Sequence, residues 1–532
     1  MASQAARMDD AVESASSDDK RTSSRGQWIG LGAVGVLAVL VFWAFDALPF
    51  QDLPAHAGLI ALRHRFATSA FDQKYFVLAP HIGPYSLFRF LGETFMSATS
   101  PLTAVRLLGS LPVIATPLAM LFARRRLHGD HAPTYGFLGL TLSFGIMTLM
   151  GFASYLLGVA FLLLGLTLWL DLMVRVDEAG ATRRLELFIA AFTPAIFVAH
   201  GHAFLLFIAC AGLSALVTGE RKARFVRLRA LIPGLALAAY VAWIERGGTP
   251  PGTVSRYHDT VPRFQGPLDK LGLLVTPTLM TRTGIDSLVG ASLLLFTLAC
   301  AVMTVRSLRG RQDRAARTSR ALYACAGAIG VVFLALPHAV GWFGFVDGRL
   351  VPVALILALL GIHREALPRP LALGLYWGPP VVASTVALLA MVASYRFQAE
   401  ARGYREVLAR VPAEVRLLNL PLDPNSDVFT AHPFVHYDKL VMVERPIVVS
   451  DIWLHQGTAL YATPENPVLR LPSSYSESNL KSIDWPAYHL EDWDYVLIRT
   501  RPDAAPPQTP DRLTLEEHRG GWWLFRRHPE RT

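Results

Sequence analysis

The stretch PFQDLPAHAGL, Pro49–Leu59, marks the point where the chain leaves its first long apolar segment. It follows the apolar run of residues 27–45 and brings Asp52, Pro54 and His56 to the boundary. Side chains four residues apart on a helix face the same way, so Asp52 and His56 can share one face. The fold depends on which side of a membrane this boundary occupies.

The composition is typical of a membrane protein. Hydrophobic residues make up 52% of the 532 residues and charged residues only 17%, whereas soluble proteins carry about 25% charged residues. Apolar runs of about 18 to 22 residues recur, the length that crosses roughly 30 Å of hydrocarbon. The sequence predicts a polytopic α-helical membrane protein. Eleven transmembrane helices are predicted, near residues 27–45, 102–123, 133–150, 152–174, 185–200, 203–218, 230–245, 286–305, 320–337, 348–364 and 371–394.

Basic residues between these spans predict the orientation. The loops on one side hold 19 Lys or Arg in about 50 residues, and those on the other side hold 9 in about 106. Loops rich in Lys and Arg face the cytoplasm, so the first span is predicted to leave the cytoplasm and the boundary at Asp52 to lie outside. The stretch 79–98 contains Arg89 and Glu93 and is predicted as an interfacial helix. The net charge of +9 reflects the cytoplasmic loops, so nucleic acid is not predicted as a partner.

This topology divides the chain into three regions. Residues 1–26, rich in Ser, Asp and Ala, are predicted to be a disordered cytoplasmic tail. Residues 27–394 are predicted to form the transmembrane domain, with long outer loops at 46–101 and 246–285. Residues 395–532 are polar and mixed, and they predict a small extracytoplasmic α/β domain.

Asp52 has two interpretations. A partly desolvated carboxylate at a membrane surface can take a proton from a substrate hydroxyl, which makes Asp52 a candidate catalytic base. Alternatively, its side chain caps a short helix that has Pro54 in its first turn. His56 is a second candidate catalytic residue, or simply an interfacial histidine.

Five further residues are candidates for binding substrate. His200 and His202 lie in AHGHAF between two short spans, where they either line a cavity or form a polar turn at the outer surface. Arg256 and His258 lie in the second long outer loop, which is either a phosphate-binding segment or a solvated loop. Arg349 stands at the mouth of a span, where it either snorkels or meets a lipid phosphate.

The sequence predicts neither a metal site nor a cofactor. Its three cysteines, Cys210, Cys300 and Cys325, lie in apolar runs. They offer no disulfide or zinc framework. The sequence also contains no Gly-rich phosphate loop and no nucleophile elbow.

The order of these features resembles the GT-C superfamily of integral-membrane glycosyltransferases. The resemblance covers most of the chain, and its motifs are loose. It rests on an acidic residue soon after the first span, on a soluble outer C-terminal domain, and on four stretches between them. These stretches are VLAPHIGPYSLFRFLG, AVRLLGSLPVIATPLAMLFARRRL, GFASYLLGVAFLLLGLTLWL and AHGHAFLLFIACAGLSAL.

This resemblance implies glycosyl transfer at the outer face of a bacterial cytoplasmic membrane. It implies a polyprenyl-phosphate-linked sugar as donor, an envelope molecule as acceptor, and inversion at the anomeric carbon. Asp52 matches the catalytic acid of the first loop and would deprotonate the acceptor, while Arg256 and Arg349 would hold the leaving phosphate. Many members carry a second acidic motif in the next outer loop. Here that junction reads TLMGFASY, so a metal-bridged site is not implied.

Two other functions compete with glycosyl transfer. A scaffold that kept the fold and lost the reaction fits the missing second acid, since a fold does not fix a function. A transporter or flippase of an envelope lipid would need ionisable residues in mid-span and repeat symmetry. The sequence has few of the former and shows none of the latter.

Overall fold

The computed structural model describes residues 25–528 with several internal gaps. The residues left out within this range are 80–81, 175–178, 219–225, 247, 249–252, 254–260, 342 and 455–457. The predicted disordered tail therefore lies outside the described residues, except that Arg25 and Gly26 begin the first helix.

The chain is mostly helical. In chain order, the α-helices are α1 (Arg25–Leu40), α2 (Leu53–Arg65), α3 (Ala70–Tyr75), α4 (Ser86–Ala98), α5 (Pro101–His128), α6 (Thr134–Ser143), α7 (Ile146–Leu149), α8 (Ala153–Val174), α9 (Ala179–Ala199), α10 (Gly201–Thr218), α11 (Ile232–Glu245), α12 (Pro267–Leu273), α13 (Ile285–Ser307), α14 (Arg314–Ala335), α15 (Leu350–Leu360), α16 (Arg369–Glu400), α17 (Tyr404–Ala409) and α18 (Lys439–Glu444).

The apolar helices identify a polytopic helical membrane protein. Within the described residues, seven helices are long and apolar enough to cross a membrane. The apolar helices α1 and α15 are shorter than such a span. Each of the eleven predicted spans overlaps a helix, but the number eleven stays a prediction.

One predicted span, 133–150, is broken into α6 and α7. The break falls at Gly145, where a Cβ atom would come within 2.2 Å of the Pro277 carbonyl oxygen. The amide of Ile146 donates to the carbonyl of Thr276 at 3.1 Å. A distant loop thus satisfies the backbone at the break, as non-helical backbone at membrane depth requires.

The strands are short. In chain order they are β1 (Phe76–Leu78), β2 (Pro262–Arg263), β3 (Ala339–Val340), β4 (Val415–Pro421), β5 (Ile447–Val449), β6 (Leu460–Ala462), β7 (Tyr495–Arg499), β8 (Leu513–Arg519) and β9 (Trp522–Arg527).

Five of these strands form one mixed sheet in the C-terminal region, in the order β5-β4-β7-β9-β8. Strand β4 runs parallel to β5 and β7, while β9 is antiparallel to β7 and β8. Both β4 and β7 are largely buried, because helices and loops cover the sheet.

The C-terminal region packs directly on loop 46–101. Strand β1 of that loop pairs with β6, with Val77 opposite Tyr461. The hydroxyl of Tyr437 donates to the carbonyl of Leu48 at 2.9 Å. Helix α18 approaches α2 so closely that a Cβ atom on Gly58 would lie 3.1 Å from the carbonyl oxygen of Lys439. One hydrophobic core is therefore continuous between the two regions.

Candidate active site

A cavity of about 1220 Å³ lies where loops 46–101 and 246–285 meet the C-terminal region. Its walls come from α2, from the segment before α4, from the turn before α8, from the segment before α15, and from the C-terminal region. Asp52, His56, His200 and Arg349 all line it. The structure therefore brings together four of the seven candidate residues.

Asp52 stands immediately before α2, but its side chain does not cap the helix. It occupies the N-cap position with Pro54 in the first turn, and its carboxylate makes no capping hydrogen bond. The interpretation of Asp52 as a side-chain cap is therefore wrong. The side chain is only 13% exposed, and it lines the cavity.

The turn between α7 and α8 fixes the backbone at Asp52. The amides of Gln51 and Asp52 donate to the carbonyls of Leu149 and Met150, at 2.9 and 3.1 Å. The neighbouring Gly151 has a φ of +78°, and a Cβ atom there would lie 2.7 Å from the amide nitrogen of Asp52. Only glycine fits this position. The acid-free junction TLMGFASY thus supports the backbone that presents the Asp52 carboxylate.

Burial changes the acidity of Asp52. It raises the pKa of the carboxyl from 3.8 to about 7, and the nearby charge of Arg349 opposes this rise. Gln51 adds a hydrogen bond to Oδ1 at 3.5 Å, while the charge of Asp451 raises the pKa further. A base of this pKa is matched to proton transfer near neutral pH.

His56 lies one helical turn beyond Asp52. Its ring packs edge-on against Phe88 and Trp453, with centroid distances of 5.0 and 4.9 Å. Burial lowers the pKa of the ring to about 3, and the neighbouring His436 adds to this effect. The neutral ring forms part of the cavity wall.

Arg349 is a buried cation in the opposite wall. Its side chain is held by aromatic rings, with the guanidinium carbon 4.0 Å from the centroid of Phe343 and 4.4 Å from that of Phe152. It is 5% exposed, and its Nε has no hydrogen-bond partner among the described residues. A guanidinium stacked in this way keeps donors available for a planar or tetrahedral anion.

The two histidines of AHGHAF are placed differently. His200 is the residue between α9 and α10, and it lines the cavity. Its ring packs against those of Tyr85 and Tyr155, with centroid distances of 4.8 and 5.4 Å. Its Nδ1 accepts a hydrogen bond from the amide of His202 at 3.2 Å. The side chain of His202 is not among the cavity residues, and its ring lies 5.9 Å from that of Tyr155.

Arg256 and His258 lie outside the described residues, so their predicted role in binding stays a prediction. The described end of the same loop does reach the site. Arg263 lines the cavity, and the pairing of β2 with β3 holds it next to Ala339.

A second polar cluster supports the wall near Arg349. The Nδ1 of His338 lies 2.9 Å from Oδ1 of Asp347, and Nζ of Lys270 lies 3.1 Å from Oδ2 of the same carboxylate. Asp347 is fully buried, whereas His338 lines the cavity. The carboxylate of Asp347 orients the His338 ring through Nδ1. Nε2 is then the ring nitrogen that can contact a bound molecule.

The C-terminal region supplies site residues that the sequence analysis missed. His436, Asp451 and Trp453 line the cavity next to Asp52, and the Nε2 of His436 lies 3.6 Å from Oδ1 of Asp52. The available signal was the stretch AHPFVHYDKL, Ala431–Leu440, which places five ionisable residues among apolar ones. Buried ionisable groups of this kind mark functional sites more often than surface charges do.

Within the ranges that the structure describes, no three His, Cys, Asp or Glu side chains are grouped so that they could hold a metal ion.

Comparison with known proteins identifies the fold. The sequence matches no protein-family model and no curated protein. Its structure resembles that of ArnT from Cupriavidus metallidurans bound to undecaprenyl phosphate. That match has a TM-score of 0.53 and 13% identity, and it covers 94% of this chain and 98% of ArnT. ArnT in the apo state gives a TM-score of 0.52 at 14% identity, over the same shares of the two chains.

A third solved structure has the same architecture. The arabinofuranosyltransferase AftD from Mycobacteria matches with a TM-score of 0.52 and 16% identity, over 94% of this chain and 40% of AftD. At 13–16% identity, these matches show the fold alone. They confirm the resemblance to the GT-C superfamily at the level of the fold.

Proposed function

We propose that this chain, which has the GT-C fold, is a membrane glycosyltransferase that takes a sugar from a polyprenyl-phosphate-linked donor. The proposal rests mainly on one observation. The buried carboxylate of Asp52, which caps no helix, and the buried guanidinium of Arg349 line the same cavity. Asp52 would act as the general base, and Arg349 would bind the phosphate of the donor. A polyprenyl phosphate is chosen as carrier because ArnT, with the same fold, has been solved with undecaprenyl phosphate bound.

The chemistry follows from the two charges. Asp52 takes the proton of an acceptor hydroxyl as the oxygen attacks the anomeric carbon. The bond between that carbon and the phosphate oxygen breaks on the opposite face, which inverts the anomeric centre. The phosphate leaves on its lipid carrier and gains negative charge, which a fixed guanidinium stabilises most in the transition state. The raised pKa of Asp52, about 7, matches a base that works near neutral pH.

The surroundings of Arg349 support a phosphate site with an apolar approach. Phe152, Phe343 and Phe345 line the same wall of the cavity, and Phe264, 65% exposed, stands at its edge. Aromatic rings of this kind suit the first isoprene units of a lipid, while Arg349 and Arg263 face its phosphate. His200 and the His338–Asp347 pair complete the polar lining on this side.

The position of the cavity supports work at the outer face of the membrane. Its walls include residues from loops 46–101 and 246–285 and from the segment before α15, all in the set that is poor in Lys and Arg. The proposed location is the bacterial cytoplasmic membrane, with a cytoplasmic N-terminus and the C-terminal region outside. The sugar acceptor is then a molecule of the cell envelope.

The proposal is tested with the purified protein in lipid nanodiscs. A panel of undecaprenyl-phosphate-linked sugars is supplied with an extract of envelope glycans as acceptor, and the release of undecaprenyl phosphate is measured. We expect release with at least one donor and its loss on Arg349→Gln. No release with any member of the panel, despite normal folding, would favour the scaffold function.

A further inference from the structure

We propose that the C-terminal region acts as a proton relay for Asp52, in which His436 passes the proton to Glu477. The inference rests on the proposed function, since it assumes that Asp52 takes a proton from an acceptor hydroxyl. Both relay residues belong to the C-terminal region, and neither was a candidate from the sequence.

The ring of His436 contacts a different carboxyl group through each of its two nitrogens. The Nε2 of His436 lies 3.6 Å from Oδ1 of Asp52, and its Nδ1 lies 3.2 Å from Oε2 of Glu477. His436 is 6% exposed and Glu477 is fully buried. The histidine ring thus separates one carboxyl group that faces the cavity from another that is sealed behind it.

The ring is suited to carrying a proton between the two carboxyl groups. Burial, helped by the charge of Lys439, lowers the pKa of His436 to about 3, so the imidazole is neutral. A neutral imidazole has one N–H donor and one acceptor nitrogen. With Nδ1–H donating to Glu477, the lone pair of Nε2 faces Asp52. In the other tautomer, the two roles are exchanged.

Glu477 is equipped to receive the proton. Burial raises its pKa to about 7, against the opposing charge of Lys439, so both carboxyl groups of the relay titrate in the same range. Lys439 bonds Oε2, and the hydroxyls of Ser450 and Tyr475 lie 3.2 and 3.3 Å from Oε1. If Glu477 served only as the ion-pair partner of Lys439, no histidine would be needed between Glu477 and Asp52.

Other ionisable groups lie close to the relay. Lys439 also contacts Asp438 at 3.0 Å, and Asp438 accepts a hydrogen bond from Asn419 at 3.0 Å. The charge of Asp451 acts on Asp52 and on Glu477, and it raises the pKa of both carboxyl groups. The charge of Arg349 lowers the pKa of Asp52 but has no such effect on Glu477.

The transfer balances in protons. Asp52 takes the proton of the acceptor hydroxyl and passes it to Nε2 of His436. Nδ1 of the same ring gives its proton to Oε2 of Glu477. Asp52 is again a carboxylate, His436 is in its other tautomer, and Glu477 is protonated. When the product has left, the reverse transfer returns the proton to water in the cavity.

Chemical rescue tests the relay separately from the base. His436→Ala opens space beside the cavity, and the rate of undecaprenyl phosphate release is measured in nanodiscs with and without added imidazole. We expect the rate to fall roughly tenfold or more and imidazole to restore part of it. 1-Methylimidazole can accept a proton at one nitrogen but has no N–H to pass a proton on, so we expect no rescue from it.

Two further variants complete the experiment. Glu477→Gln retains the size of the side chain but cannot accept a proton at this pH, so we expect the same loss and a changed pH profile of the rate. His518→Ala, on the exposed strand β8, is the matched control and should leave the rate unchanged.

The outcomes separate the two proposals. No release by the parent protein would overturn the proposed function. A parent that is active while His436→Ala keeps the full rate would overturn the relay alone, and so would equal rescue by the two imidazoles.

Discussion

The carboxylate of Asp52 and the ring of His436 lie 3.6 Å apart, although they belong to opposite ends of the chain. Asp52 lies near the start of loop 46–101, directly before α2, and His436 follows β4, which is the first strand of the C-terminal sheet in chain order. Their contact joins the transmembrane half to the C-terminal half within a single cavity. The C-terminal region is therefore part of the candidate active site.

The raised pKa of Asp52 predicts a pH-dependent effect of Asp52→Asn on stability. The folded protein binds this proton more tightly than the unfolded chain, so the contribution favours folding below pH 4 and is lost between about pH 4 and 7. Asn is neutral at every pH. We expect the variant to have a higher Tm than the parent at pH 8, by the equivalent of up to about 4 kcal/mol, and an equal Tm near pH 4. The exposed Asp503→Asn serves as control. A gain that does not depend on pH would contradict the buried carboxylate.

Gly151 should be indispensable although it carries no chemistry. A Cβ atom on Gly151 would clash with the amide nitrogen of Asp52 at 2.7 Å, and its φ of +78° costs an alanine roughly 1–2 kcal/mol. We expect Gly151→Ala to lower the Tm and to reduce glycosyl transfer, since Asp52 must move. Gly212→Ala is the control, because no atom lies within 4 Å of a Cβ atom there. Equal behaviour of the two variants would show that the turn does not position Asp52.

Arg349 should decide the affinity for polyprenyl phosphate. A hydrogen bond to a charged group contributes about 1.5–3 kcal/mol, so Arg349→Gln should weaken the binding of undecaprenyl phosphate roughly 10- to 100-fold. Arg349→Lys keeps the charge but not the planar fork, and an intermediate loss is expected. Binding is measured by fluorescence quenching in nanodiscs, with the exposed Arg526→Gln as control. Unchanged affinity in the Gln variant would remove Arg349 from the phosphate site.

The orientation can be tested by cysteine labelling in intact cells. The native Cys210, Cys300 and Cys325 are all buried, so the background is low. A membrane-impermeant maleimide should label Asp503→Cys, which is exposed in the C-terminal region, and not Gln312→Cys, in the loop between α13 and α14. Labelling of position 312 instead would place the cavity on the cytoplasmic side.

Much of the helical fold could be predicted from the sequence. The apolar runs are long, and the cost of burying a charge in hydrocarbon makes their ends sharp. The stretches VRLLNLP, YVLIR and WWLFRR, which are rich in apolar residues, form β4, β7 and β9 within the predicted α/β region. The break at Gly145 could not be predicted, because it depends on the packing of Pro277 from a distant loop.

The site could be predicted only in part. Asp52, His200 and Arg349 stand out because polar residues next to apolar spans often line a cavity rather than face lipid, and all three line the cavity. His436 and Glu477 were missed because the sequence gives no indication that the C-terminal region folds back on α2. The prediction of a side-chain cap at Asp52 was wrong. An Asp shortly before a Pro is typical of capping residues, and the sequence pattern does not reveal whether the side chain bonds the helix.

Asp52→Asn tests the central claim most directly, with the rate of undecaprenyl phosphate release from undecaprenyl-phosphate-linked sugars as the measurement. The substitution keeps the size of the side chain and removes its ability to take a proton. We predict that the variant reaches normal levels in the membrane, binds undecaprenyl phosphate like the parent, and releases it from the donor roughly 10²- to 10⁴-fold more slowly. An Asn variant with the full rate of release would contradict the assignment of Asp52 as the base.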